Sequence, residues 1–121
     1  MEVPILRQGD FLIATIQAAL TDNDLRSFRT ALFDYVIRAR ARGIIIDVTA
    51  LDVLDSFGTR TLSEIALMSR LRGAETVIVG VQPEVAFAMV QLGLTLEGVT
   101  TALDLEEGLN HLNRAKKRIQ A

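Results

Sequence analysis

The sequence predicts an α/β fold, a small mixed, mostly parallel β-sheet covered by about four helices in the order β-β-α-β-α-β-α-β-α. Three observations carry this. Residues 44–48 and 76–81 are β-branched runs without polar alternation, as in strands covered on both faces. Stretches with apolar residues at steps of three and four, each closed by a glycine, stand before and after them. The connections are short, so right-handed crossovers lay successive strands side by side. With 121 residues, half of them hydrophobic and 23% charged, residues 1–121 read as one domain, with a basic tail from about residue 114.

Residues 3–6 and 11–16 flank the turn formers Gln8, Gly9 and Asp10, which reads as a hairpin. Pro4 has no amide to donate, so the first strand belongs at an edge. Leu25, Phe28, Leu32, Tyr35, Val36 and Ala39 form one stripe of a helix over 24–42. Thr21, Asp22 or Asn23 caps its start, Arg38, Arg40 and Arg42 complement its negative end, and Gly43 is expected to supply the left-handed stop. A central strand over 44–48 follows. Leu62, Ile65, Ala66 and Leu71 mark a helix that opens near Asp55 and Ser56 and stops at Gly73. After the strand at 76–81, Pro83 suits the first turn of a short helix ending at Gly93. A strand near 99–101 and a helix from Asp104, with Glu107 placed for a capping box, finish the chain.

Several function classes fall away on composition. There is no cysteine, so thiolate metal sites, iron–sulfur clusters and cysteine nucleophiles are out, and a cytoplasmic location fits. The net charge is −2, but with Arg114, Lys116, Lys117 and Arg118 set aside, nine basic residues face fifteen acidic ones, a body that repels a phosphate backbone. No nucleic acid partner is expected. Neither a signal peptide nor a membrane span is expected: the apolar stretch at 11–20 is half the length a bilayer needs. The glycines build no phosphate-cradling loop, and His111, with no acidic or nucleophilic partner nearby in sequence, reads as a plain surface residue. No catalytic residue, cofactor or metal is assigned.

Chemistry concentrates after the central strand. Asp47, Asp52 and Asp55 resemble a receiver-type acidic site, yet no lysine occurs before Lys116 and Gln17 stands after the early strand, so loop solvation and helix capping by Asp55 are the simpler reading. Ser56 sits at a helix start with its hydroxyl exposed, and is either an ordinary capping serine or a phosphoacceptor. Thr59 is a second candidate acceptor. Phe57, with Leu54 and Leu51, packs in the core or forms a contact surface beside Ser56.

Residues 44–48, the loop Leu51-Asp52-Val53-Leu54 and then Asp55-Ser56-Phe57-Gly58 resemble the signature of STAS domains, the anti-sigma-factor antagonist family. Residues 74–86, Leu92-Gly93-Leu94 and 98–104 narrow the resemblance to the single-domain scaffold branch found in the bacterial stressosome. The likeness runs from about residue 4 to 112. Gln17-Ala18-Ala19-Leu20-Thr21-Asp22, in place of the glycine-containing turn of free antagonists, favours that branch. The resemblance implies a non-enzymatic scaffold that co-assembles with larger STAS-containing sensor or co-antagonist proteins into a homo-oligomer or large hetero-assembly. Such a scaffold sequesters a switch serine/threonine kinase and releases it when the serine matched by Ser56 is phosphorylated, and a phosphatase resets it. Asp52, Asp55, Phe57 and Gly58 would be the docking surround. The alternative is a free antagonist-type switch protein that binds a kinase or anti-sigma factor as a small complex.

Overall fold

In the computed structural model, residues 2–120 are described, with side chains through Lys117. The chain opens with a hairpin, β1 (Ile5–Gln8) and β2 (Phe11–Thr15), paired antiparallel with Gln8 opposite Phe11. Gly9 turns it at φ +60°, the backbone that a two-residue hairpin loop needs at its first position. Helix α1 (Asp22–Ala39) begins at Thr21, whose Oγ1 accepts from Asp24 N at 3.0 Å while Thr21 N donates to Asp24 Oδ2 at 3.1 Å. Both bonds of a capping box are therefore made.

The end of α1 differs from expectation. Arg40, not Gly43, takes the left-handed conformation, at φ 50° and ψ 44°, and its N–H donates to Ile37 O at 3.3 Å. Gly43 is instead the first residue of β3 (Gly43–Asp47), where a Cβ would stand 2.9 Å from the Leu112 methyls and 3.0 Å from the Phe11 ring. Its glycine is spent on helix–sheet contact rather than on the stop.

The remaining elements are α2 (Ser56–Arg70), β4 (Glu75–Val79), α3 (Pro83–Gln91), β5 (Thr100–Ala102) and α4 (Leu105–Gln120). The sheet order is β1-β2-β3-β4-β5, with β2 to β5 parallel. The class and element order read from the sequence are those found, with β1 at an edge and β3 at the centre.

Side-chain alternation along the strands splits the interior in two. Leu12, Ala14, Ile44, Ile46 and Ile78 meet Phe28, Leu32 and Val36 of α1 and Leu62 and Ile65 of α2. Phe11, Ile13, Ile45, Val77 and Val79 face the other way, toward Leu112 of α4. Each fully buried aliphatic side chain contributes about 1.5–3 kcal/mol of transfer free energy. Helix α3 buries only Val85 and Met89.

Because β2 to β5 run the same way, the molecule has two distinct ends. The loops after the strands, including residues 48–55, gather at one end. Asp10, Arg42 and Glu75 precede or begin strands at the other. The basic residues from Arg114 lie on the last turns of α4, and Lys116 is ion-paired with Asp10. The side chain of Arg118 lies outside the described residues. Among the described residues no helix is long and apolar enough to cross a membrane.

Candidate functional site

The loop from β3 to α2 is folded by its own side chains. Asp47 Oδ1 accepts from Thr49 N at 2.9 Å and from Thr49 Oγ1 at 2.6 Å, so this carboxylate shapes a turn. Thr49 O in turn accepts from Gln82 Nε2 at 2.7 Å, which ties the loop to the start of α3. The Gln82-Pro83 pair thus has a structural role, in which proline opens the helix and glutamine clamps the neighbouring loop. Leu51 is buried, and Leu54 packs against the same core from the rim.

Asp55 caps α2 by accepting from Gly58 N at 2.7 Å, and Thr59 N donates to Asp55 O at 2.9 Å. Ser56 is the first helical residue and is exposed, as are Asp52 and Val53. Gly58 is buried, and a Cβ there would meet Leu54 Cδ1 at 2.9 Å. Thr59 is only 3% exposed, and its Oγ1 has no hydrogen-bond partner among the described residues. The Ser56 side chain is open to solvent, whereas that of Thr59 is reached only by opening the first turn of α2.

Of the three residues expected to share an apolar patch, Leu51 and Leu54 stay together at the core and Phe57 stands apart. Phe57 belongs to neither core cluster and is half-buried, with the guanidinium of Arg26 5.0 Å from its ring centroid and that of Arg60 5.8 Å away. Between this turn and the residues following β2 lies an apolar hollow of about 170 Å³, lined by Ile16, Leu20, Leu25, Leu54 and Leu62 among others. Asp47, Asp52 and Asp55 do not converge: among the described residues no group of three His, Asp or Glu side chains is placed to hold a metal ion.

His111, read from the sequence as a plain surface residue, is half-buried and has an acidic partner distant in sequence. Its Nε2 lies 2.9 Å from Glu75 Oε1, and Thr100 Oγ1 reaches the same oxygen at 3.4 Å. The partner comes from the first residue of β4, 36 positions away, so no local spacing could reveal it. The pair joins α4 to the sheet at the end opposite Ser56. Sequence reading also passed over the stack on Phe57. Arg60, three residues on, was legible by helix periodicity, whereas Arg26 comes from α1 and was not.

What this end of the molecule presents is a free hydroxyl at a helix start, two exposed acids and a cation-covered ring. Known proteins share the fold that builds it. The family described as STAS domain matches residues 2–108. RsbS from Moorella thermoacetica, in a form carrying a serine-to-glutamate substitution, superposes with a TM-score of 0.83 at 34% identity, covering 97% of this chain and 99% of that one. A chain from the stressosome, described as a signal integration and transduction hub, superposes with a TM-score of 0.76 at 36% identity, covering 93% and 98%. The RsbT co-antagonist protein RsbRA of Bacillus subtilis is 31% identical over 78 residues, which is 64% of this chain and 28% of that protein. The match therefore spans less than a third of that relative.

Proposed function

The chain belongs to the STAS domain family, and on that premise we propose that it is a non-enzymatic scaffold of a stressosome-type assembly, in the cytoplasm, that holds a switch serine/threonine kinase and releases it when Ser56 is phosphorylated. The observation that carries this reading is the contrast between two hydroxyls one turn apart: Ser56 is exposed at the first position of α2, and Thr59 is buried. Near-complete mutual coverage with RsbS and with a stressosome chain supports the scaffold role. Likeness to a protein named as a co-antagonist supports a larger STAS-containing partner.

The site's physics fits a charge switch. A phosphate on Ser56 meets outward-pointing amides at a helix start, so the fold tolerates it, yet it adds about two negative charges beside Asp52 and Asp55. A partner seated on Asp52, Asp55 and Phe57 meets that charge at the edge of its contact, where desolvating it is costly, whereas Gly58, expected in the docking surround, is buried under Leu54 and only shapes the turn. The kinase is displaced and the core is untouched. A phosphatase that hydrolyses the ester restores the docking surface.

The test is phosphosite mapping by tandem mass spectrometry after incubation with Mg-ATP, the cognate kinase and a larger STAS partner, with Ser56→Ala as control. Phosphate on Ser56 together with loss of kinase from the complex is the expected result. Phosphate at another residue, or a kinase that stays bound after Ser56 is fully modified, overturns it.

A further inference from the structure

We infer that Arg60 is the side chain that receives the phosphate on Ser56, and that in doing so it leaves Phe57, whose ring is then covered by Arg26 alone. The inference rests on the reading of Ser56 as phosphoacceptor and names what that modification changes on the surface.

Arg60 lies four residues after Ser56 on α2, so the two side chains share one helix face with Cβ atoms roughly 5–6 Å apart. Helical side chains lean toward the N-terminus, which carries the guanidinium of Arg60 back over the first turn. It rests there 5.8 Å from the Phe57 centroid, farther than Arg26 at 5.0 Å. The cations around this turn differ in their commitments. Arg29 is paired with Glu64 at 3.2 Å, and Arg26 donates to Asn23 Oδ1 at 3.0 Å. Arg60 has no ion pair among the described residues. Its stack on a half-exposed ring is a weak hold, and a charge-assisted, bidentate bond to phosphate is the stronger alternative.

The surroundings demand such a counter-charge. The first turn of α2 contains no acidic side chain, whereas a dianion at Ser56 would stand close to the Asp55 carboxylate and the exposed Asp52. Arg60 offsets this repulsion by turning toward the phosphate. Arg26, held by Asn23, remains over Phe57. A partner then meets a different surface as well as a different charge: an aromatic ring covered from α1 alone, with a phosphate beside it whose two negative charges Arg60 offsets only in part.

The experiment uses the full chain with phosphoserine placed at position 56 by chemical ligation, so that no kinase is needed. Phosphorus NMR titration reads the second ionisation of the phosphate, which lies at roughly 6 in an unperturbed phosphoserine. It is expected about one unit lower in the folded chain, because a nearby cation favours the dianion. Arg60→Gln is expected to return most of that shift, Arg60→Lys to keep part of it, and Arg26→Gln to leave it in place. In the same samples, nuclear Overhauser contacts between Arg60 and the Phe57 ring are expected to vanish on phosphorylation while those of Arg26 persist. Arg60 is exposed, so circular dichroism should report an unchanged fold for its variants. Equal ionisation in the native and Arg60→Gln chains overturns the assignment, as does a shift that follows Arg26 instead. Absence of kinase-dependent phosphate on Ser56 would defeat the proposed function while leaving this titration to stand or fall separately.

Discussion

Gly80 and Arg40 show how single residues hold the loops around the site. Gly80 leaves β4 at φ +80°, and the side on which a Cβ would project is filled by Thr49, whose Cα would lie 3.2 Å from it. Thr49 cannot retreat cheaply, because Asp47 and Gln82 both bind it. Gly80→Ala combines a disfavoured left-handed backbone with overpacking, and is expected to cost about 3 kcal/mol in urea unfolding. A midpoint unchanged from that of the native chain would show that the 48–55 loop is not pinned as described. Arg40 is the opposite case, a side chain where glycine is preferred. Relief of about 1–2 kcal/mol of left-handed strain outweighs the roughly 0.5–1 kcal/mol of added chain entropy, so Arg40→Gly should stabilise slightly. The sequence suggested Gly43 for that stop because a helix-ending glycine and a glycine under a crossing leucine look alike until Leu112 is placed. Thr59 was more legible than its reading as an acceptor allowed. It shares the stripe of Leu62, Ala66 and Ser69, all buried.

At the level of elements, the start of α2 and the whole of α3 carry the consequences. Asp55 makes the one side-chain cap of α2, to Gly58 N. Asp55→Ala is expected to cost about 1 kcal/mol, and Asp55→Asn, which keeps an accepting oxygen, only a fraction of that. If partner binding also needs the charge, Asp55→Asn will weaken kinase capture at nearly native stability, a separation that calorimetric melting and a pull-down read together. Helix α3 buries two residues, while Phe87, Val90 and the Leu92 that follows it are exposed. Its amides are expected to exchange with solvent before those of α1 and α2, because local opening there uncovers little apolar surface. Protection in α3 equal to that in α2 would contradict this. Both features trace to patterns visible beforehand. The proline start and glycine end of α3 were plain in the sequence, and so were the strands. Hydrophobic periodicity, however, did not separate an apolar face that meets the sheet from one that meets water.

Across the whole molecule, charge follows the direction of the chain. All four helices follow strands or loops at the Ser56 end, with acids in the first turns of α1, α3 and α4 and arginines in the last turns of α1 and α2. This suits the helix dipoles and gathers cations at the far end. There Lys116 of α4 meets Asp10 of the hairpin turn, a pairing of residues more than a hundred positions apart that only the folded sheet brings together. The hydrogen bond and attraction from Lys116, reinforced by Arg42 and Arg7, hold the Asp10 carboxyl below the usual carboxylate range. A carboxyl lowered on folding stabilises the folded state at pH values above its ordinary, unfolded value, and that contribution is lost as pH falls through the lowered, folded one. Lys116→Ala should therefore reduce stability at neutral pH, with the difference from the native chain shrinking once Asp10 is protonated and also at high salt, since the pair is partly exposed. Urea unfolding across an acid pH series at two salt concentrations checks this. A difference that persists at the lowest pH would assign the effect to packing of the lysine stem. Because the pair lies at the end opposite Ser56, the proposed phosphorylation there should proceed as readily in the variant as in the native chain, which separates the anchoring of α4 from the proposed switch.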